Sequence, residues 1–509
     1  MVERGEFDSL ELEPDEFREL GHRAVELMAD HFDRVSVVDT LPDTTPSDLA
    51  EIFDEPIPRE GQPPESILSE WENRVYPHAS HQGSPRWYGY VQGSGSPIGV
   101  IADALAAAVN NNVFNWVCSP SATEVERQSI RWLADMIGYP SECGGLLTSG
   151  GTLANYSAIY AALQSATGFD VKEGGLRGLD ISGRFRLYHQ DHEGHSSIER
   201  VVEMLGLGTN SIRTVPSTDD YRIDTGKLEE MITRDAAAGD IPFCIVAYAG
   251  SINVSAIDPL DEIASVSAHH DVWMHVDGAC GAVGALLPEK EHLYEGLDRA
   301  DSVTIDPHKW LGIPFSCGCI LFRDRRIQAR TFAMDAAYLD QMEDERYHGT
   351  SFGYLGPEMT RPFRGLKLWM SIKHRGLEGY QRLLRQGCHC AEHLHARVSE
   401  ADDFEVVQEP NLFIYSFRYR PEDLAGTPTE PQTDRAVPEY LDWLNQRIAD
   451  EIRLTGQAFL TTTEVRDRTV LRLSICSHRT KPSDIDDTFE MSRKQGEEID
   501  ATNRDRLRT

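Results

Sequence analysis

Asp277 and Lys309 are the two residues whose types and positions could do chemistry together. Lys309 stands in Asp306-Pro307-His308-Lys309-Trp310, just past a β-branched run, Ser302 to Ile305, that reads as a strand stopped by Pro307. Lysine is scarce in this chain, 8 of the 49 basic residues, so one set at a strand end is not filler. Upstream, Val272-Trp273-Met274-His275-Val276 reads as a second strand and ends in Asp277-Gly278-Ala279. An acid and an amine at the carboxyl ends of strands in an α/β sheet converge where such sheets bind ligands. That pair suits pyridoxal 5′-phosphate (PLP). The amine forms a Schiff base with the aldehyde, and the carboxylate keeps the pyridine nitrogen protonated.

Two further segments fit the same ligand. Thr148-Ser149-Gly150-Gly151-Thr152 lies between an expected strand and an expected helix. Glycines there let backbone approach an anion, and the helix N-terminus offers unpaired N–H groups and a favourable dipole. The spacing is neither Walker A nor a dinucleotide fingerprint, so a single phosphate is the natural ligand. Alone, the segment would be read as a plain glycine turn; its weight comes from Asp277 and Lys309 at two other strand ends. Gln190-Asp191-His192-Glu193-Gly194-His195-Ser196-Ser197 follows another strand. A histidine at a helix start is usually a capping or surface residue, but here His195 could stack on a flat ring, with Ala279 against the opposite face.

These residues need a scaffold that brings strand ends together. From Cys143 onward the pattern is strand, turn, helix, repeated: Gly145 to Thr148, Arg184 to Tyr188, Ile212 to Val215, Phe243 to Tyr248, then the strands at 272–276 and 302–305. Asp224-Thr225 caps a helix at 227–234, and Pro259 opens the next. The alternation predicts an α/β fold, a mostly parallel sheet covered by helices on both faces. After a helix near 365–374 the rhythm changes. Helices at 382–398 and 438–452 mix with alternating strands, Leu412 to Phe417 and Val470 to Ile475, as in a separate α+β unit. Ahead of the sheet, residues 1–12 read as disordered, Asp15 to His31 as a helix, and 41–66 as an extended connecting arm that lies against another subunit.

Composition bounds the classes. A chain of 509 residues, 40% apolar and 26% charged, is an ordinary soluble protein with room for two or three subdomains. A net charge of −34 argues against nucleic acid or an anionic membrane as partner. Spread along the chain, that acidity suits a salt-rich host or simply an acidic cytosolic enzyme. No apolar run reaches membrane-spanning length; the best, Val100 to Val109, contains Asp103. The acidic start, Met1 to Glu6, has the wrong sign for a signal peptide, so the expected location is cytoplasmic. Nine cysteines in so long a chain are no disulfide framework. Cys317/Cys319 and Cys388/Cys390 lack partner pairs at zinc-like spacing, so no metal is expected.

In order and spacing, Thr148 to Thr152, His195-Ser196-Ser197, His275 to Ala279, and Asp306 to Trp310 resemble the group II PLP-dependent amino-acid decarboxylases, most closely the aromatic-L-amino-acid decarboxylase branch. The likeness runs from about residue 14 to 490 and includes Ser119 to Glu124 and Leu471 to Ile475. It implies the PLP-dependent transferase-like fold type I (aspartate aminotransferase type), with a mostly parallel seven-stranded sheet and a C-terminal α+β subdomain. The implied domains are an N-terminal helical dimerisation arm (1–85), a large PLP-binding domain (86–375) and a small domain (376–509) in a homodimer. Lys309 would carry PLP, Asp277 would pair with the pyridinium nitrogen, His195 would stack on the ring opposite Ala279, and Gly150, Gly151, Thr152 and His308 would surround the phosphate.

The implied activity is decarboxylation of an L-amino acid, an aromatic one in the family's pattern, to an amine and CO2. Two departures keep alternatives open. Gly250-Ser251-Ile252-Asn253 stands where relatives often carry two threonines. In the loop within His348 to Met359 that supplies a tyrosine proton donor, Phe352 falls in the tyrosine's place, with Tyr354 two residues on. A phenylalanine there accompanies oxidative decarboxylation–deamination to an aldehyde in related plant enzymes, whereas Tyr354 would give the amine. Another PLP-dependent lyase or a transaminase is the remaining rival. Trp87, Tyr88, Tyr90, Phe114 and Trp116 lie in segments that line the family's substrate pocket, and such rings suit an aromatic side chain unless they are interface core.

Overall fold

The computed structural model describes residues 12–179, 183–191, 193–333, 349–424 and 436–508. Seven strands form the main sheet: β1 (Gly144–Thr148), β2 (Phe185–Gln190), β3 (Ile212–Val215), β4 (Ile241–Tyr248), β5 (Trp273–Asp277), β6 (Ser302–Ile305) and β7 (Gly318–Phe322). Their order is β1-β7-β6-β5-β4-β2-β3, and β7 alone runs antiparallel to its two neighbours. Strands β5, β6 and β7 are buried along their whole length, which is why they read as near-continuous apolar runs. The expected α/β architecture is present, and the carboxyl ends of β2, β4, β5 and β6 meet at one edge.

Preceding the sheet are α1 (Pro14–Arg34), α2 (Pro46–Phe53), α3 (Pro64–Glu70), α4 (Pro97–Val109) and α5 (Pro120–Met136); α6 (Gly151–Ala166) leaves β1 directly. Two helices therefore occupy or adjoin the stretch 41–66 that was expected to be extended. The signal is local. Thr45 and Asp48 form a capping box, the Asp48 N–H donating to Thr45 Oγ1 at 3.3 Å and the Thr45 N–H to Asp48 Oδ2 at 2.9 Å, with Pro46 preset for the first turn. The abundance of Pro and acid masked a helix start. The disorder expected for residues 1–12 falls, except at Leu12, outside the described residues.

A second, antiparallel sheet has the order β10-β11-β9-β8, made of β8 (Phe404–Val406), β9 (Ile414–Tyr419), β10 (Thr461–Val465) and β11 (Arg468–Ser474). Tyr415, Phe417, Leu444, Leu471, Leu473 and Phe489 build a core of its own between this sheet and the helices Ala436–Leu454 and Pro482–Asn503. The connecting helix, Gly365–Ser399, is broken at Gly376, whose φ of 64° is left-handed backbone that suits glycine.

Candidate active site

Asp277 ends β5 with its side chain held at both oxygens. Asn155, one turn into α6, donates Nδ2–H to Asp277 Oδ2 at 2.8 Å, and the Ala279 N–H donates to Oδ1 at 3.1 Å. Asn155 is itself locked from behind. Its Oδ1 accepts from Thr304 Oγ1 at 2.7 Å and from His275 Nε2 at 3.0 Å. His275 Nδ1 is then left to accept from Ser302 Oγ at 2.9 Å, which in turn accepts from Trp273 Nε1 at 2.9 Å. Every link has one donor and one acceptor, so the chain fixes the carboxylate's orientation.

Burial lowers the His275 imidazole to about 4, so it stays neutral in this chain. The sign of the consequence is definite. As pH falls below the ordinary 6.5, the unfolded chain takes up a proton that folded His275 refuses until about 4, and stability declines across that window. The loss attributable to this residue should be about 3 kcal/mol. Urea unfolding across the window should show the stability advantage of the natural protein over His275→Gln shrinking by that order as pH drops; a constant difference would contradict it.

Lys309 follows β6 through the Pro307 turn, its N–H bonded to Asp306 O at 2.9 Å. Its Nζ lies 3.1 Å from Asp306 Oδ2 and 3.7 Å from Cys280 Sγ. Burial would lower this amine, but the Asp306 and Asp277 carboxylates outweigh it and hold it above the usual lysine value. His308 is buried beside it, Nδ1 2.7 Å from Cys317 O, and burial lowers its imidazole. His195 heads the helix Ser197–Met204. The Ser197 N–H donates to His195 Nδ1 at 3.1 Å, and burial lowers this imidazole too, in spite of Asp277.

Gly150 and Gly151 carry the chain from β1 into α6, and α6 has no side-chain cap on its first N–H groups. The close approach is real at Gly151: a Cβ there would stand 2.9 Å from Asp306 Oδ2 and 3.4 Å from the Ala279 Cβ. Ser149, Gly150, Gly151, Thr152, His195, Asp277, Ala279, His308 and Lys309 thus line one cavity of about 400 Å³. The residues singled out from sequence for the cofactor converge there.

Tyr354 does not line it. That residue packs edge-on against Phe114, ring centroids 5.1 Å apart, in a loop tied down by the Gly353 N–H to Phe114 O and the Arg361 N–H to Asn112 Oδ1. Phe352 is core, 2% exposed, with the Arg361 guanidinium 5.5 Å from its ring centre; His348 lies outside the described residues. Nor do the five aromatics line this cavity. Trp87 and Tyr88 are buried, Trp87 against Phe459, whereas Tyr90 and Trp116 are exposed. Charged and polar residues the sequence reading did not assign also border it. Asn155, Asp306 and Glu193 line the cavity, and the buried Arg472 reaches its wall by donating to Ile252 O at 3.1 Å. Burial pushes the Glu193 carboxyl up to about 7. A polar residue one turn into a helix after a glycine strand-turn was the available signal for Asn155.

Comparison with known proteins decides the family. Residues 46–420 match the pyridoxal-dependent decarboxylase conserved domain. The chain belongs to the pyridoxal-dependent decarboxylases. Relatives of this decarboxylase extend over almost its whole length. It is 33% identical to the aromatic-L-amino-acid decarboxylase of Bacillus atrophaeus over 94% of this chain and 95% of that one. It is 25% identical to a phenylacetaldehyde synthase of a Rosa hybrid cultivar, covering 96% of each. Among solved structures, an Oryza sativa TDC with PLP and tryptamine superposes with a TM-score of 0.86 at 27% identity, covering 96% of this chain and 99% of that one. The fold is type I.

The decarboxylase's own residues fit PLP. An uncapped helix start behind two glycines can take the phosphate, a doubly oriented carboxylate can meet the pyridine nitrogen, and a buried amine can reach the carbonyl carbon. Asp306 Oδ1, beside Gly318 and behind the glycine turn, is buried with no hydrogen-bond partner.

Proposed function

We propose that this decarboxylase converts an aromatic L-amino acid to its amine and CO2, with PLP carried on Lys309. The observation that carries the reading is the convergence of Lys309, Asp277 and His195 around one cavity whose floor is an open helix N-terminus. PLP supplies an electron sink for the pair left behind as CO2 departs. The rest is the protein's work. Asp277, oriented by Asn155 and the Ala279 N–H, holds a proton at the pyridine nitrogen. His195, kept neutral by burial and turned by Ser197, offers a flat face to the ring, and Ala279 backs the other side. Gly150, Gly151, Thr152 and His308 would surround its phosphate. Lys309 would hold the group covalently through its amine.

Support for an aromatic substrate comes from the named relatives and from cavity walls that include Tyr248, Ile252 and Phe315. The reading takes Tyr354 as the proton donor to the α carbon; packed on Phe114 outside this cavity, it would have to reach the site from a second copy of the chain. A panel of L-amino acids incubated with the PLP-loaded enzyme tests the reading. Amine and CO2 in equal amounts from an aromatic substrate is expected. Aldehyde with peroxide would move it to the oxidative reaction, and keto acid without CO2 would overturn it.

The same reading includes a homodimer with arm 1–85, large domain 86–375 and small domain 376–509. Its supports are physical. No residue of α1 is buried, although the helix is amphipathic, and Ile101, Leu105 and Val109 leave an apolar row on α4 exposed at 52%, 51% and 58%. The break at Gly376 coincides with the last boundary. Introducing Ile101→Asp with Leu105→Asp should weaken association at least about 100-fold. Sedimentation velocity reads this directly, and an unchanged dimer would remove α4 from the interface. Cytoplasmic residence is supported by nine free cysteines, seven of them buried, which suit a reducing compartment. No helix among the described residues is long and apolar enough to cross a membrane, and the charge of −34 disfavours nucleic acid.

A further inference from the structure

Away from the cavity, two histidines and a glutamate bring their donor atoms together. Glu229 stands one turn into the helix Thr225–Ala237, and His269 and His270 close the helix Leu260–His270. Glu229 Oε1 lies 3.2 Å from His269 Nδ1 and 3.8 Å from His270 Nε2, and the three ligand atoms all fall within 4.8 Å of one another. Among the described residues this is the one such group of His, Cys, Asp or Glu. A hydrogen bond explains only one side of the triangle. His269 Nδ1–H can donate to Glu229 Oε1, but 3.8 Å from His270 Nε2 is beyond hydrogen-bond reach, and that buried nitrogen has no hydrogen-bond partner.

A cation held by all three atoms would satisfy three lone pairs at once. Ligands bound to zinc at about 2.0–2.2 Å in a tetrahedron stand about 3.4 Å apart, close to the spacing already present. Two imidazoles and one carboxylate suit a borderline first-row ion, and three protein ligands leave the fourth position to water. The frame for this is rigid. The two imidazole rings stack with centroids 4.6 Å apart and planes 25° apart, so adjacent residues present nitrogens to the same side. Thr225 Oγ1 donates to Glu262 Oε2 at 2.6 Å and ties the same two helices together. Asp271, at φ 53°, ends the second helix with its N–H bonded to Ser267 O, and Ser267 Oγ donates to Val272 O at 2.6 Å. The carboxyl end of a helix carries a partial negative charge that favours a cation. Lys227 and Arg234, on the helix of Glu229, pair with Glu230 at 2.9 Å and Asp235 at 3.3 Å, which leaves Glu229 to the imidazoles. Solvent ions can reach the group, because the His269 side chain is 71% exposed and that of Glu229 46%, whereas His270 is 17% exposed.

We propose that Glu229, His269 and His270 bind Zn²⁺, and that the ion clamps the two helices beside the amino-terminal end of β5. Coordination at His269 Nδ1 moves the ring proton to Nε2; nothing is oxidised or reduced. Asp277 ends the same strand at its far end, so the clamp stabilises the strand that carries the site without touching the cavity. The cysteines, which lack zinc-like spacing, take no part. The proposal does not depend on the PLP reading.

The test uses the full chain, loaded with PLP, freed of metal by a chelator and then dialysed to equilibrium against ZnCl2. One tightly bound ion per chain is expected, and Glu229→Gln and His270→Asn should each weaken its binding at least about tenfold. Turnover without zinc should match the natural protein's in both variants. With zinc at 100 times its dissociation constant, the unfolding equilibrium of the natural protein in urea should shift about 100-fold toward the folded state, and that of the variants should shift far less. No bound zinc in the natural protein would overturn the proposal. So would undiminished binding in both variants, which would place the ion elsewhere, as on the exposed thiol of Cys118. Anomalous scattering at the zinc edge from crystals of the natural protein needs no variant. A peak within about 2.2 Å of the three ligand atoms supports the site, and a peak only elsewhere refutes it.

Discussion

Lys309→Ala should reduce amine release at least about 1000-fold while the protein remains folded. The amine is the group on β6's carboxyl end that can hold PLP covalently, and the cavity offers no second lysine among its lining residues. Its loss should also remove the visible absorption of the lysine-bound cofactor, so activity and spectrum must fail together. The variant leaves Asp306 Oδ2 with only the neutral His308 at 3.8 Å, a buried carboxylate stripped of its cation. Urea unfolding separates the two losses, since a chemical defect leaves the midpoint near its natural value. Turnover close to normal in Lys309→Ala would refute the site.

The second large effect is expected from Asp277→Asn, a loss of roughly 100- to 1000-fold in kcat with the cofactor still bound. The substitution keeps shape and removes charge. Asn155 donates to one oxygen of Asp277 and the Ala279 N–H to the other, so both orienting partners require acceptors. An amide can satisfy only one of them, and its NH2 would donate toward a pyridine nitrogen that must itself carry a proton. That nitrogen is then left unprotonated and the electron sink weakens. The discriminating readout is the split between parameters. A kcat loss with little change in KM marks a group acting on the reacting system, whereas a KM effect alone would reduce Asp277 to a binding contact.

Much of this site could be read before any fold was seen, and the reason is periodicity. Alternating β-branched runs followed by Asp-Gly-Ala, by Pro-His-Lys and by Ser-Gly-Gly mark strand ends, and strand ends in one parallel sheet share an edge. Asp277, His195, Gly150, Gly151, Thr152, His308 and Lys309 were legible for that reason. The fold class followed from the same alternation. The antiparallel insertion of β7 between β1 and β6 did not, since a strand pattern carries no direction. Residues 41–66 failed for the opposite reason: a short capping box outweighed a composition typical of loops.

By itself the sequence determined which chemistry is present: one lysine, one aspartate, one histidine and a glycine turn, each tied to a strand end by local pattern. Only the tertiary structure decided who surrounds them. Asn155 lines the cavity because α6 packs across β5 and β6, bringing it to Asp277, His275 and Thr304 from far along the chain. Asp306 lies behind the glycine turn because β7 lays Gly318 against Gly150. The same packing buried Phe352, drew Tyr354 onto Phe114, and turned Trp87 and Tyr88 into core. Strand ends are a local property of the chain. Burial and charge pairing depend on neighbours distant in sequence, and no local pattern encodes them.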